Sequence, residues 1–122
     1  MLLTINQKSQ IPIFRQITEE IKTLIASGDL SPGEQLPSIR ELAVTLNINP
    51  NTIAKAYKEL ESEGLLITRK GIGVFVKDSL KSELTENLKK KILKKKIREL
   101  ISTAKKLGME KEELLNEIKK CY

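Results

Sequence analysis

Residues 38–60 decide the fold of this chain, and they read SIRELAVTLNINPNTIAKAYKEL. Ser38 and Glu41 have the spacing of a capping box, in which a serine hydroxyl and a glutamate three residues later satisfy free N–H groups at a helix start. We therefore predict a helix that begins at Ser38 and stops at Asn47, where the apolar pattern ends. Its predicted buried face consists of Ile39, Leu42, Ala43 and Leu46.

A second helix is predicted almost at once. Asn49 is favoured at an N-cap, and Pro50 suits the first helical position because no helical partner exists there for an N–H group. Gly64 is a suitable residue to end this helix. Its predicted inward positions are Ile53, Ala56, Tyr57 and Leu60. Two short helices joined by a three-residue break, the second with polar residues at its start, are typical of a helix-turn-helix.

The flanking segments add a helix and a wing. Apolar residues at helical spacing predict a helix over residues 11–27. Residues 65–76 are β-branched and apolar around Lys70-Gly71-Ile72-Gly73, which predicts a β-hairpin whose glycines supply positive φ angles. A hairpin after a helix-turn-helix would be a wing. We therefore predict a winged helix-turn-helix DNA-binding domain over residues 1–78.

Residues 79–122 are predicted to form a helical tail, with helices over about 80–107 and 110–120. The long helix carries two apolar stripes that point in nearly opposite directions. The first stripe, expected to pack on the chain's own winged domain, consists of Leu80, Leu84, Leu88 and Ile92. The second has heptad spacing, which predicts a seam with a partner chain. It consists of Leu93, Ile97, Leu100, Ala104 and Leu107.

Two heptads alone would be marginal, so the last helix is expected to complete the dimer interface. Its apolar residues are Leu114, Leu115 and Ile118. The predicted fold class is therefore mainly α with a small β-hairpin. An N-terminal winged helix-turn-helix precedes a two-helix C-terminal dimerisation tail.

The composition excludes several kinds of site. The chain has no histidine and one cysteine, Cys121, which leaves no histidine-based catalytic triad, Cys/His zinc cluster or internal disulfide. The acidic residues fall on charged helical faces without a paired site, and we expect no enzymatic activity, cofactor or metal. Cys121 is interpreted as a small apolar residue of the last helix, with an intermolecular or redox role as the alternative.

No apolar run approaches the roughly 20 residues of a membrane span. The first ten residues turn polar too soon for the apolar core of a secretory signal. We therefore expect a cytoplasmic protein without a membrane partner.

The net charge of +6 lies in the tail, because residues 1–78 contain equal numbers of basic and acidic residues. Phosphate contacts need local positive charge, so a neutral domain remains compatible with DNA binding. The tail has a run of cations: Lys89, Lys90, Lys91, Lys94, Lys95, Lys96 and Arg98. This run is either a solvated helical surface, a source of long-range attraction to DNA, or a membrane-surface helix. The third interpretation usually requires bulky aromatic residues, which the run lacks.

Several motifs in combination resemble the DNA-binding domain of the GntR superfamily. They are PIFRQI at 12–17, SGDLSPG at 27–33, LPSIRELA at 36–43, NPNT at 49–52, LESEGL at 60–65 and GIGVFV at 71–76. With the short helical tail, the combination is similar to the YtrA subfamily, whereas other branches carry a much larger ligand-binding domain there. The resemblance implies a homodimer that binds inverted-repeat operators in double-stranded DNA, usually as a repressor.

The resemblance also implies which residues meet DNA. Arg40 matches the second-helix arginine that the family uses on DNA, the start of the recognition helix enters the major groove, and the wing tip enters the minor groove. Pro50 and Ala54 stand where many relatives have arginine, so base preferences do not transfer. The predicted DNA-binding residues are Arg40, Asn49, Asn51, Thr52, Lys55, Lys58, Arg69, Lys70, Gly71 and Gly73.

Elementary chemistry supports these residue types, although each has a structural alternative. Asparagine can form two hydrogen bonds to adenine, and threonine offers a methyl to thymine and a hydroxyl to phosphate. Arg40 could instead pair with a surface carboxylate, and Asn51 and Thr52 could only support the helix start. Asn49 is a cap before it is a base reader. The wing glycines serve the turn in any case, and the wing cations could be solvated.

The sequence thus predicts a sequence-specific transcriptional regulator. The alternative is a non-sequence-specific nucleic-acid-binding or structural protein that uses the lysine-rich tail. No segment is large enough for a dedicated effector domain, although a small ligand could bind between the tail helices. The sequence identifies no small-molecule effector.

Overall fold

The computed structural model describes residues 1–122, which form five α-helices and one two-stranded antiparallel sheet. In chain order the elements are α1 (Ile13–Ser27), α2 (Ile39–Leu46), α3 (Pro50–Ser62), β1 (Leu66–Arg69), β2 (Gly73–Val76), α4 (Ser82–Lys106) and α5 (Lys111–Cys121). This winged, mainly helical architecture confirms the predicted fold class. The chain divides into two compact units, residues 1–89 and residues 90–122.

The core of the first unit lies between α1, α2, α3 and the hairpin. Helix α1 packs on α3, and α3 packs in turn on α2 and β1. The buried apolar side chains of this core are Ile17, Ile21, Ile25, Leu30, Leu36, Leu42, Ala43, Ile53, Ala56, Tyr57, Leu60, Leu65, Leu66 and Val76. All four inward positions predicted for the second helix of the helix-turn-helix are among them.

Local capping explains where the central helices begin. The Ser38 hydroxyl accepts a hydrogen bond from the Glu41 N–H at 3.0 Å, and the Glu41 carboxylate accepts one from the Ser38 N–H at 3.4 Å. This confirms the predicted capping box. Asn49 caps α3, because its side-chain oxygen accepts a hydrogen bond from the Asn51 N–H at 2.8 Å. Helix α1 begins at Ile13 and not at residue 11, since Pro12 has extended backbone (ψ 142°) and occupies the N-cap.

The hairpin has the predicted position. Arg69 pairs with Gly73 and Leu66 with Val76, so that a three-residue turn, Lys70–Ile72, joins the strands. We call this turn the wing tip. Sequence reasoning missed a further segment that pairs with the hairpin, residues 33–36, which we call the strap. It runs beside β2, with the Gly33 N–H bonded to the Val76 carbonyl at 2.9 Å and the Leu36 N–H to the Val74 carbonyl at 2.8 Å.

The residues of the first apolar stripe of the tail differ in how far they are buried. Leu80 and Leu88 pack against the core of the first unit, as predicted. Leu84 is 43% exposed and is not among the residues packed on that core. In the second unit, the end of α4 passes into α5 through Gly108, which has a positive φ of 73°. No helix in the chain has both the length and the apolar character needed to cross a membrane.

Candidate nucleic-acid interface

Helix α3 has one buried and one exposed face. Residues four and three apart share a face of an α-helix, and Asn51, Lys55 and Lys58 follow this spacing. All three are exposed, whereas the opposite face contributes four residues to the core. The exposed face therefore presents one amide and two ammonium groups to solvent. These groups can donate hydrogen bonds to base edges and phosphates.

At the start of α3, the structure distinguishes residues that cap the helix from residues that can contact bases. The Asn49 side-chain oxygen is engaged in the helix cap, so Asn49 serves the helix first. The amide of Asn51 has no such engagement, and only its backbone N–H is used by the cap. Thr52, predicted as a DNA-binding residue, is half-buried. It precedes the fully buried Ile53 and lies at the edge of the packed face.

Arg40 is exposed on α2, directly after Ile39. Its guanidinium has no carboxylate partner among the ion pairs of the chain. A surface ion pair, which was the alternative role for Arg40, is therefore absent. The five donors of the side chain stay available for an external acceptor.

Lys55 is held by an aromatic side chain of another helix. Its Nζ lies 3.8 Å from the centroid of the Phe14 ring, and the Arg15 guanidinium carbon lies 5.1 Å from the same centroid. Arg15 also forms an ion pair with Glu59 of α3, with 3.7 Å between Nη1 and Oε1. Phe14 was not identified from the sequence as part of the site, because this contact depends on how α1 packs on α3.

Arg69 is not a free cation. Its Nη2 lies 3.3 Å from an Asp78 carboxylate oxygen, and its guanidinium carbon lies 4.9 Å from the Phe75 ring centroid. The first contact balances its charge within the chain. Lys70 is exposed and has no such partner, so it is the wing cation best placed to meet an external anion.

The two wing glycines differ in what surrounds them. Gly71 has a φ of 76°, and a Cβ there would meet open space. Gly73 has a φ of 149°, and a Cβ there would lie 2.5 Å from the Nε2 atom of Gln35. That nitrogen donates a hydrogen bond to the Ile72 carbonyl at 3.2 Å. Gln35 was not identified from the sequence, since no local pattern links it to residue 73.

Tyr57 belongs to the core, as its predicted inward position on the helix indicated. It is buried, and its hydroxyl donates a hydrogen bond to the Pro37 carbonyl at 2.8 Å. Burial raises the pKa of Tyr57 far above its ordinary value, and the negative charge of Glu41 raises it further. The neutral side chain therefore ties Pro37, the residue that follows the strap, to α3.

The predicted seam residues are mostly exposed. In the second unit the exposed fraction is 60% for Leu93, 44% for Ile97 and Leu100, and 71% for Leu107. Ala104 differs, because it is only 5% exposed within its own chain and offers a partner almost no surface. In α5, Leu115 and Ile118 are exposed and Leu114 is half-buried.

The cationic run lies along α4 and is exposed throughout. Within the helix, Lys89 pairs with Glu86 at 3.2 Å and Lys96 pairs with Glu99 at 3.9 Å. Surface pairs at this spacing contribute little to stability. The local arrangement is that of a solvated helical surface.

Known proteins are similar to this chain in sequence. The family described as "Bacterial regulatory proteins, gntR family" matches residues 14–76. The chain is 41% identical over 118 residues to the HTH-type transcriptional repressor YtrA of Bacillus subtilis (strain 168), which covers 97% of this chain and 90% of that protein.

Solved structures give the same result. A GntR family transcriptional regulator from Listeria monocytogenes superposes with a TM-score of 0.80 and 36% identity, over 93% of this chain and 97% of that one. The DNA-binding domain of AraR in complex with operator ORX1 matches 62% of this chain and 98% of its own, with a TM-score of 0.56 and 31% identity. The chain is thus a DNA-binding transcriptional regulator with a winged helix-turn-helix, and it belongs to the gntR family of bacterial regulatory proteins.

Proposed function

We propose that this protein is a cytoplasmic repressor that binds an inverted-repeat operator as a homodimer. The observation that carries the proposal is the exposed face of α3, where Asn51, Lys55 and Lys58 stand opposite a fully packed face. The start of a recognition helix reads base edges in the major groove, and cations farther along it reach phosphates. The AraR complex supports this assignment, since its operator-bound domain shares the fold.

Each predicted residue except Arg69, whose guanidinium is paired with Asp78, then has a role. Arg40 and Asn51 contact bases or phosphates from α2 and α3, and Thr52 contributes from the edge of the packed face. Lys55 and Lys58 bind phosphates. Lys70 and Gly71 at the wing tip approach the minor groove, where Gly71 leaves room for close contact. Asn49 and Gly73 act indirectly, through the helix cap and the wing.

The exposed apolar residues of the second unit support the proposed dimer. Solvated α4 surface carries four large apolar side chains at heptad spacing, which is the pattern of a helix that packs on another helix. Because Ala104 is already buried, we expect the contact to rest on Leu93, Ile97, Leu100 and Leu107, together with Leu115 and Ile118 of α5. A single winged domain reads few base pairs, and a two-fold dimer doubles the number read.

The repressor assignment rests on the Bacillus subtilis relative, which is named a transcriptional repressor and matches nearly the whole chain. A dimer bound across an inverted repeat within a promoter would exclude polymerase from the same DNA.

The experiment that tests the proposal is selection of bound sequences from random double-stranded DNA, followed by footprinting. We expect enrichment of a discrete inverted repeat and protection of both half-sites. Sedimentation of the complex should give two chains per site. Enrichment without a common sequence would instead favour non-specific binding through the lysine-rich helix.

A further inference from the structure

The strap connects the wing with the helix-turn-helix. Its backbone is hydrogen-bonded to β2, and two residues after it Ser38 caps α2. Gln35 lies within the strap, and its backbone forms an antiparallel bridge with Phe75. A side chain at this position can therefore act on the wing from the segment that enters α2.

The Gln35 side chain reaches the wing tip. Its Nε2 donates to the Ile72 carbonyl at 3.2 Å, across 37 positions of sequence. The turn itself has one backbone hydrogen bond, from the Ile72 N–H to the Arg69 carbonyl at 2.9 Å. The Gln35 bond therefore adds a second restraint to a turn that contains Gly71 and precedes Gly73.

Gly73 provides the space that this contact needs. A Cβ at residue 73 would lie 2.5 Å from Gln35 Nε2, closer than real Cβ contacts allow. The amide is the far end of a flexible side chain, so an alanine at 73 would displace it and break its bond to Ile72. The backbone of Gly73, with a φ of 149°, is also one that side chains with a Cβ rarely adopt.

We propose that Gln35 is a positioning residue for DNA binding, whose amide, seated against Gly73, holds the wing tip in the direction in which it meets DNA. The proposal rests on the proposed function, because it requires that the wing tip contacts DNA. At the tip, Lys70 is exposed and Ile72 is 67% exposed, so both side chains are presented outward. Holding the tip before binding reduces the conformational entropy lost on binding.

The test measures operator affinity and thermal stability of the full-length chain. One hydrogen bond is worth about 0.5–1.5 kcal/mol, so Gln35→Ala should weaken operator binding about 3- to 10-fold. The chain should stay folded, since Gln35 is exposed and outside the core, and its melting temperature should fall by no more than the few degrees that one surface hydrogen bond contributes. Gln35→Met keeps the length without the N–H donor and should weaken binding in the same direction.

Two double variants separate positioning from other effects. Gly73→Ala already displaces the amide, so adding Gln35→Ala should weaken binding no further. In a Lys70→Ala background, Gln35→Ala should lose most of its effect, because the contact that it orients is gone. Hydroxyl-radical protection at the minor-groove position of the wing should fade in Gln35→Ala, while protection by α3 remains.

The outcomes distinguish the two proposals. If Lys70→Ala leaves affinity and minor-groove protection unchanged, the wing contact of the proposed function fails, and the positioning role fails with it. If Lys70→Ala weakens binding but Gln35→Ala does not, the wing contact stands and the positioning role is overturned. Full additivity of Gln35→Ala with Lys70→Ala or with Gly73→Ala overturns it as well.

Discussion

The ammonium group of Lys55 lies 3.8 Å from the centroid of the Phe14 ring, so that a residue of α1 holds a cation of α3. A cation over an aromatic face is stabilised by about 0.5–1 kcal/mol at exposed sites. The ammonium keeps its hydrogen-bond donors free for a phosphate while the ring restricts its motion. The ring thus fixes the direction of a side chain that we assign to phosphate contact.

Replacing the ring should therefore weaken DNA binding through Lys55. We expect Phe14→Leu to reduce operator affinity by about 0.5–1 kcal/mol in the wild-type chain and to have little effect in a Lys55→Gln background. Phe14→Tyr keeps an aromatic face and serves as the matched control, with affinity near wild type. Tighter binding by Phe14→Leu would mean that the ring holds Lys55 away from DNA.

Arg40→Ala should weaken specific binding without affecting the fold. The side chain is exposed and has no ion-pair partner, so its removal leaves no buried group unsatisfied. A loss of about 1–3 kcal/mol is expected for an arginine that contacts a base, with an unchanged melting temperature. Arg40→Lys retains the charge but loses the planar fork, and should recover only part of the affinity. An operator affinity equal to wild type would remove Arg40 from the interface.

Tyr57→Phe tests the hydrogen bond between α3 and Pro37, the residue that follows the strap. Loss of the hydroxyl that donates to the Pro37 carbonyl should destabilise the chain by about 1 kcal/mol near neutral pH. Burial raises the pKa of Tyr57 in the folded state, whereas an unfolded tyrosine ionises near pH 10. The stability contributed by the neutral phenol is therefore fully present below about pH 10 and is lost as the pH rises toward the folded pKa.

Urea unfolding at pH 8 and pH 11 measures this difference. The stability gap between wild type and Tyr57→Phe should narrow at the higher pH, because only the wild type has a buried phenol that resists ionisation. Tyr122→Phe is the control. Tyr122 is fully exposed, so the loss of its hydroxyl should not change the free energy of unfolding at either pH. A gap that stays constant with pH would contradict the assignment.

The lysine-rich run should have little part in binding the operator. If it only keeps α4 solvated, a Lys90→Gln, Lys94→Gln and Lys95→Gln triple variant should leave the slope of log K against log salt unchanged. Each phosphate contact contributes about one unit to that slope. Lys58→Gln, on the exposed face of α3, is the positive control and should lower it by about one unit. A drop of two or more units in the triple variant would assign the run to DNA.

The elements that were predictable from sequence are those fixed by near neighbours. The capping box of Ser38 and Glu41, the Asn49 cap and the glycine-bearing hairpin each depend on residues within a few positions of one another. Those signals placed the helix-turn-helix and the wing, and the periodicity of α3 separated its buried face from its exposed face.

The contacts that sequence reasoning missed join distant positions. Lys55 meets Phe14, Gln35 meets Ile72, and the strap pairs with β2, all through the packing of elements far apart in the chain. In the predicted dimer seam, the burial of one residue also depends on packing that the sequence pattern does not show. Heptad spacing placed Ala104 among the outward residues, but the chain itself buries it.

The final prediction concerns the dimer, and Leu100→Asp is its test. Leu100 is 44% exposed and lies midway along the proposed seam in the second unit. A carboxylate at that position would be buried without a partner if two chains meet there, a cost high enough to favour their separation. We expect the variant to sediment as a monomer, keep its helical circular dichroism and lose most operator affinity, since one winged domain cannot span both half-sites.

Ser102→Asp is the matched control for Leu100→Asp. It adds the same charge two residues later, and two residues along an α-helix turn by about 200°, so it faces away from the seam. Ser102 is also exposed, and the variant should remain dimeric with wild-type affinity. If Leu100→Asp also stays dimeric in analytical ultracentrifugation, the seam is not the interface, and another exposed surface must join the two chains. If it becomes monomeric yet binds the full operator as tightly as wild type, dimerisation does not determine operator affinity, because each domain then binds its half-site alone.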